Sequence, residues 1–193
     1  MLGLKMATDP RWVNIVEKNI EEILTDHAWC EQKATTNAIT LIVKHPELTD
    51  LVDAMIEIAN EELLHFKMVH QLIKDRGYVL GPERKDPYVH DLISYIRRGG
   101  SATEILVDRL LFAAMIEARS CERFRLLSME ISDPELKDFY HELMVSEAGH
   151  YTTFISFAKQ YGIGVDVDAK WEKFLDYEAS LMAKYGKEET THG

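Results

Sequence analysis

The sequence predicts an all-α fold: a four-helix bundle with a long crossover between its second and third helices and additional helices at each end. Three observations carry this reading. Gly and Pro are few, 10 and 5 in 193 residues, while strong helix formers such as Ala, Leu, Glu, Met and Lys are common. Apolar residues recur at three- and four-residue spacing through long segments, and no strand-like alternation stands out. Helix start and stop signals fall at the ends of those segments.

The first helix opens at "TDPRWVNIVEKN", where Asp9 can cap and Pro10 suits the first turn. Its pattern runs on through "IEEILTDHAWCEQKATTNAITLIVKH", with a break expected near Thr25-Asp26. It ends at His45-Pro46, because a residue before proline avoids helical angles. The second helix lies in "PELTDLVDAMIEIANEELLHFKMVHQLIKDRG" and stops at Gly77. Leu48, Leu51, Val52, Met55, Ile58, Ala59, Glu62, His65 and Phe66 form one stripe on it. The connection "YVLGPERKDPYVHDLISYIRRGG" is poorly periodic, holds a short helix near "VHDLISYI", and is long enough to travel the length of a bundle. "SATE" fits a capping box, Ser101 with Glu104, and opens a third helix reaching about Ile131. "SDPE" starts the fourth, which ends near residue 161. A fifth follows in "DAKWEKFLDYEASLMAKYG", and residues 186–193 are expected to be a loose tail. The whole of 1–193 reads as one domain.

The chain is 46% hydrophobic, enough for a sizeable core. No run of about 18 apolar residues suggests a membrane span, and the opening residues lack the apolar stretch of a secretory signal. A cytoplasmic protein is expected. Cys30 and Cys121 form no C-x-x-C pair, so they are expected to be two reduced, buried thiols. The 22 basic and 33 acidic residues leave a net charge of −11. That argues against broad, non-specific nucleic-acid binding, and acids gathered as metal ligands would explain part of the excess.

Two short segments share one spacing. "EELLH" contains Glu62 and His65, and "SEAGH" contains Glu147 and His150. Residues three apart on a helix lie on one face, so each pair can direct an oxygen and a nitrogen at one point. A single Glu-x-x-His is weak evidence in a chain with eight His and many acids. The helix positions strengthen it. Glu62 lies 16 residues after Pro46 and Glu31 lies 15 before it; Glu147 lies 14 after Asp133 and Glu117 lies 16 before it. At 1.5 Å per residue, all four carboxylates fall roughly 20–24 Å from the turns. Leu24, Ala28, Glu31, Thr35 and Ala38 share a face, as do Leu110, Ala113, Ala114, Glu117, Cys121 and Phe124. Glu122 competes with Glu117, but Arg119, Arg123 and Arg125 flank it and mark it as an ion-paired surface residue. Four carboxylates in a core are costly without a cation. Four Glu and two His, with Glu-x-x-His on two helices and one Glu on each of two others, match a dinuclear iron or manganese centre. The oxygen-rich, thiolate-free set favours iron or manganese over zinc.

"DHAWCEQKAT" around Glu31, "EELLHF" around Glu62 and His65, "IEARSCERF" around Glu117 and "SEAGHY" around Glu147 and His150 are more specific. Through them the chain, from about residue 5 to residue 185, resembles the ferritin-like di-iron family. Within it, the chain is most similar to the tRNA hydroxylases acting on 2-methylthio-isopentenyl-adenosine beside the anticodon. The resemblance implies an O₂-dependent monooxygenase with two Fe ions, Mn being the alternative. It would hydroxylate the isopentenyl group of a tRNA anticodon stem-loop and draw electrons from an external donor of the reductase or ferredoxin type. It also implies a monomer. Glu31, Glu62, His65, Glu117, Glu147 and His150 would hold the metals, with one or two of the glutamates bridging them. His27, one turn before Glu31, is a candidate to orient that ligand. Cys30 and Cys121 sit beside ligands and read first as small packing residues.

Candidate phosphate contacts are Arg97, Arg98, Arg84 and Lys85 in the connection, and Arg119 and Arg123 on the third helix. Two other function classes use the same pattern differently. One is ferroxidase, iron-storage or peroxide chemistry at the same ligands. The other is a metal-free helical interaction protein.

Overall fold

The structure is a computed structural model that describes residues 2–96 and 99–185. The expected tail, 186–193, and the candidates Arg97 and Arg98 lie outside the described residues. Within them are seven helices and no strand: α1 (Trp12–Lys18), α2 (Ile20–Lys44), α3 (Thr49–Asp75), α4 (Pro87–Ser94), α5 (Ala102–Glu130), α6 (Pro134–Tyr161) and α7 (Val167–Tyr185). No helix among them is long and apolar enough to cross a membrane. The chain packs as two compact units, one holding Lys18–Lys85 and the other holding the residues before and after that span.

The unit of Lys18–Lys85 is an α2–α3 hairpin. The break expected at Thr25-Asp26 falls instead at Asn19, which adopts φ −135° and ψ 39°. Asn is a poor interior helix residue. Thr25 and Asp26 continue the helix and are buried. Ala28, Ala38 and Leu41 of α2 are buried, as are Leu51, Met55, Ile58 and Val69 of α3. Each large apolar side chain so buried contributes about 1.5–3 kcal/mol.

Gly77 ends α3 with φ +75°. Its N–H donates to the Lys74 carbonyl at 2.9 Å, and the Tyr78 N–H donates to the Ile73 carbonyl at 3.0 Å. This paired closure requires the left-handed backbone that glycine adopts without steric cost. The chain then lies back along α2. The Trp29 indole N–H donates to the Gly81 carbonyl at 2.9 Å, Lys33 pairs with Glu83 at 3.0 Å, and Arg84 pairs with Glu22 at 3.0 Å.

The other unit is built on the α5–α6 hairpin. Ser101 and Glu104 form the expected capping box, and Asp133 accepts from the Glu135 and Leu136 N–H groups to start α6. Phe124 and Tyr140 bring their rings to 5.3 Å across this hairpin. Gly162 ends α6 where no side chain fits, since a Cβ there would lie 2.5 Å from the Ala158 carbonyl oxygen. Helix α7 packs on α4 and α5. The Tyr88 hydroxyl donates to Glu178 at 3.0 Å, and Lys170 pairs with Asp108 at 2.5 Å.

Candidate metal half-sites

Each unit contributes one carboxylate–imidazole cluster. On α2 and α3, ligand atoms of Glu31, Glu62 and His65 all lie within 4.8 Å of one another. On α5 and α6, those of Glu117, Glu147 and His150 do the same. All six residues are buried. The one-turn spacing acts as expected: His65 Nδ1 lies 3.5 Å from Glu62 Oε2, and His150 Nδ1 lies 3.9 Å from Glu147 Oε2. The neighbouring small residues Ala28, Ala113 and Ala114 are buried as well.

Electrostatics in the α2–α3 cluster favour added positive charge. Burial, and then the charge of Glu62, push the Glu31 carboxyl well above the usual range, with His65 pulling the other way. Burial acts to lower the His65 imidazolium, but Glu31 and Glu62 outweigh it and bring its pKa up to about 11. Both shifts mean that this cluster retains protons that bulk water would remove at neutral pH. A cation bound among these donors relieves the same excess of negative charge.

His27 stands at the back of Glu31, with its Nε2 2.5 Å from Glu31 Oε1. Once a cation holds Glu31 as a carboxylate, which only accepts, the His27 Nε2 is the donor in this contact. This contact fixes Glu31's orientation from outside the cluster, as partners of metal ligands commonly do. Cys121 is buried and its thiol donates to the Met144 carbonyl at 3.3 Å. Cys30 is only half-buried, contrary to the expectation of two buried thiols.

The structure corrects two of the candidate phosphate contacts. Arg119 and Arg123 are both 0% exposed. The Arg119 guanidinium donates to Glu178 Oε1 at 2.6 and 2.9 Å, to Glu122 at 2.9 Å and to the Met6 carbonyl at 2.9 Å. Arg123 lies over the Trp12 ring at 4.3 Å. Spacing on one helix places two arginines one turn apart but does not say which way they face. Burial removes both from any phosphate. Glu122 is ion-paired with Arg119, as its flanking arginines suggest. Arg84 is half-buried against Glu22, and Lys85 is exposed.

Sequence reading missed Glu178 and Tyr88, which complete this buried network from α7 and α4. Apolar flanks around Glu178 were the available signal, since an acid on the inner stripe of a helix needs a partner.

The family described as "tRNA-(MS[2]IO[6]A)-hydroxylase (MiaE)" matches residues 2–193. A tRNA 2-(methylsulfanyl)-N(6)-isopentenyladenosine(37) hydroxylase of Pseudomonas putida is 39% identical over 164 residues, covering 85% of this chain and 78% of the relative. A protein of the same name from Salmonella typhimurium is 28% identical over 222 residues, covering 91% and 81%. Among solved structures, "Protein 43 with aldehyde deformylating oxygenase activity from Synechococcus" matches with a TM-score of 0.88 and 31% identity, covering 98% of this chain and 95% of that one.

Proposed function

This chain belongs to the MiaE family of tRNA hydroxylases, and from that premise we propose that Glu31, Glu62, His65, Glu117, Glu147 and His150 together hold two metal ions for hydroxylation of 2-methylthio-isopentenyl-adenosine in tRNA. The fold is the expected all-α, ferritin-like one. The observation that carries the proposal is the presence of a buried cluster in each unit, each with two carboxylates and one imidazole. We take the two units to work as one catalytic domain.

The donor set fits the metals. Carboxylate oxygens with one imidazole per half-site suit iron or manganese, and iron is favoured for oxidative chemistry on a hydrocarbon. When bound, two redox-active ions supply the capacity to reduce O₂ and deliver one oxygen atom to a C–H bond of the isopentenyl group. The chain's own residues prepare for this. The glutamates hold negative charge where the cations bind. His65 presents a neutral nitrogen once its proton is displaced, and His150 offers the matching imidazole in the other cluster. His27 keeps Glu31 in one orientation through its Nε2 proton. Ala28, Ala113 and Ala114, one turn from the glutamates and themselves buried, lie where bulk water is excluded.

Cys30 and Cys121 are the only cysteines, too few for an iron–sulfur electron relay in this chain. An external reductase or ferredoxin-type protein is therefore the proposed donor. We take the protein to act as a monomer in the cytoplasm, where the tRNA substrate is.

Metal content is measured first, then turnover. The protein is expected to bind about two irons per chain. With O₂ and a reductant it will add one oxygen atom to the modified adenosine of tRNA, read by nucleoside mass spectrometry. Full metal loading with no tRNA product would overturn the proposal. Peroxide or ferrous-ion turnover in its place would move the protein to storage or detoxification chemistry. An aldehyde offered in parallel tests the activity named for the Synechococcus protein.

A further inference from the structure

The unit built on α5 and α6 contains a hollow that none of the six metal-ligand candidates line. Its volume is about 360 Å³, and Ile96, Leu111 and Phe174 give it apolar walls. Tyr95, Asp108, Lys170 and Lys173 complete it. A second hollow of about 580 Å³ shares Lys170 and Lys173, carries the acids Glu104 and Asp166, and extends toward Ser101 and Gly164.

Two features give this hollow a chemical preference. Tyr95 is 40% exposed, yet its ring is held still. It stacks on Phe174 at 5.2 Å and 9°, and on Tyr177 at 4.5 Å and 17°. Tyr177 is itself anchored, its hydroxyl donating to the Asp91 carbonyl at 3.1 Å. A flat ligand meeting Tyr95 thus meets a ring that has already lost its rotational freedom. The lysines differ from each other. Lys170 is bound to Asp108 at 2.5 Å, so its charge is offset. Lys173 is exposed and makes no ion pair or hydrogen bond among the described residues. It is a cation left over for an anion, on a chain whose net charge is −11.

A fixed aromatic ring, apolar walls and one uncommitted lysine are what proteins use to hold an unstacked nucleotide: the base stacks on the ring and the phosphate meets the cation. We propose that this hollow is an accessory nucleotide subsite that takes one unpaired nucleotide of the tRNA substrate, its base against Tyr95 and its phosphate at Lys173. The inference rests on the tRNA-hydroxylase reading above. It answers how a strongly acidic chain grips an acidic polymer, through a local site in place of a basic surface.

The test is direct binding of a fluorescently labelled anticodon stem-loop RNA, measured by anisotropy on the full chain without turnover. Tyr95→Ala is expected to weaken binding about fivefold or more, and Tyr95→Phe, which keeps the ring, to stay near wild type. Lys173→Glu is expected to weaken binding and lower the salt dependence by about one phosphate contact. Lys173 has no ion pair or hydrogen bond among the described residues, so Lys173→Glu reports even if Tyr95→Ala fails to fold. Lys67→Glu, at an exposed lysine of α3, is the charge-matched control. Wild-type affinity in Lys173→Glu, or an equal loss in Lys67→Glu, would overturn the subsite and leave the hydroxylase reading standing. A wild-type chain that does not bind the stem-loop would overturn that reading and the subsite with it.

Discussion

Arg119 and Glu178 stand 59 residues apart in the chain, yet their side chains meet at 2.6 Å with neither exposed to solvent. Removing one partner strands a charge in the interior, which costs about 3–5 kcal/mol. Arg119→Met and Glu178→Met should each lower stability by that order in urea denaturation. The Arg119→Met/Glu178→Met double variant should lose less than the sum of the single effects. Single losses under about 1 kcal/mol would show that the pair does not hold α7 to α5.

Glu62→Ala and His150→Ala each remove a buried donor from a different half-site. Both variants are expected to lose stoichiometric metal and hydroxylase activity while keeping their helical circular dichroism. Wild-type iron content in both would contradict the ligand assignment. Metal loading should also raise the melting temperature of the wild type and not of these variants, because only the native ligand set binds tightly.

His27→Ala leaves all six ligands present but frees Glu31 from its 2.5 Å contact. Metal affinity should fall about 10–100-fold, read by competition with a chelator. His27→Gln keeps an N–H donor at the position and should recover part of the loss. Equal affinities in all three proteins would reduce His27 to a packing residue.

Burial, aided by the charges of Glu147 and Glu122, pushes the Cys121 thiol up to about 12. A thiol reagent at pH 8 should therefore leave Cys121 unmodified in the native protein, because the thiolate is the reactive form. Both cysteines should react in denaturant. Rapid native labelling of Cys121, located by peptide mass, would mean that its surroundings open to water.

The Ser132 side chain, and then the Ser132 N–H donating at 2.7 Å, hydrogen-bond to Glu17 and hold its carboxyl below the usual value of 4.5. The folded state thus binds this proton less readily than the unfolded state. The resulting stability is present above the unfolded pKa and is lost as pH falls through the folded one. Glu17→Gln should be less stable than wild type at neutral pH, and the gap should close on acidification. A gap that widens toward low pH would reverse the assigned sign.

Local chemistry accounts for what the sequence alone determined. Caps at Ser101 and Asp133, the stop at Gly77 and the two Glu-x-x-His faces depend on residues within one or two turns, so their spacing is written in the chain. The pairing of Glu31 with Glu62 and of Glu117 with Glu147 followed from distance to a shared turn, since antiparallel helices of equal rise bring such positions to one height. The tertiary structure alone decided which way charged side chains face. Arg119 and Arg123 read as surface cations because helix spacing does not show the partners that reach them from other segments. Their burial depends on Glu178 and Trp12, brought from distant segments. The helix break moved to Asn19 for a similar reason, with Thr25 retained in α2 where Gly81 packs against it. A charge can enter a core only when a partner arrives from elsewhere in the chain, and that arrival is a property of the fold.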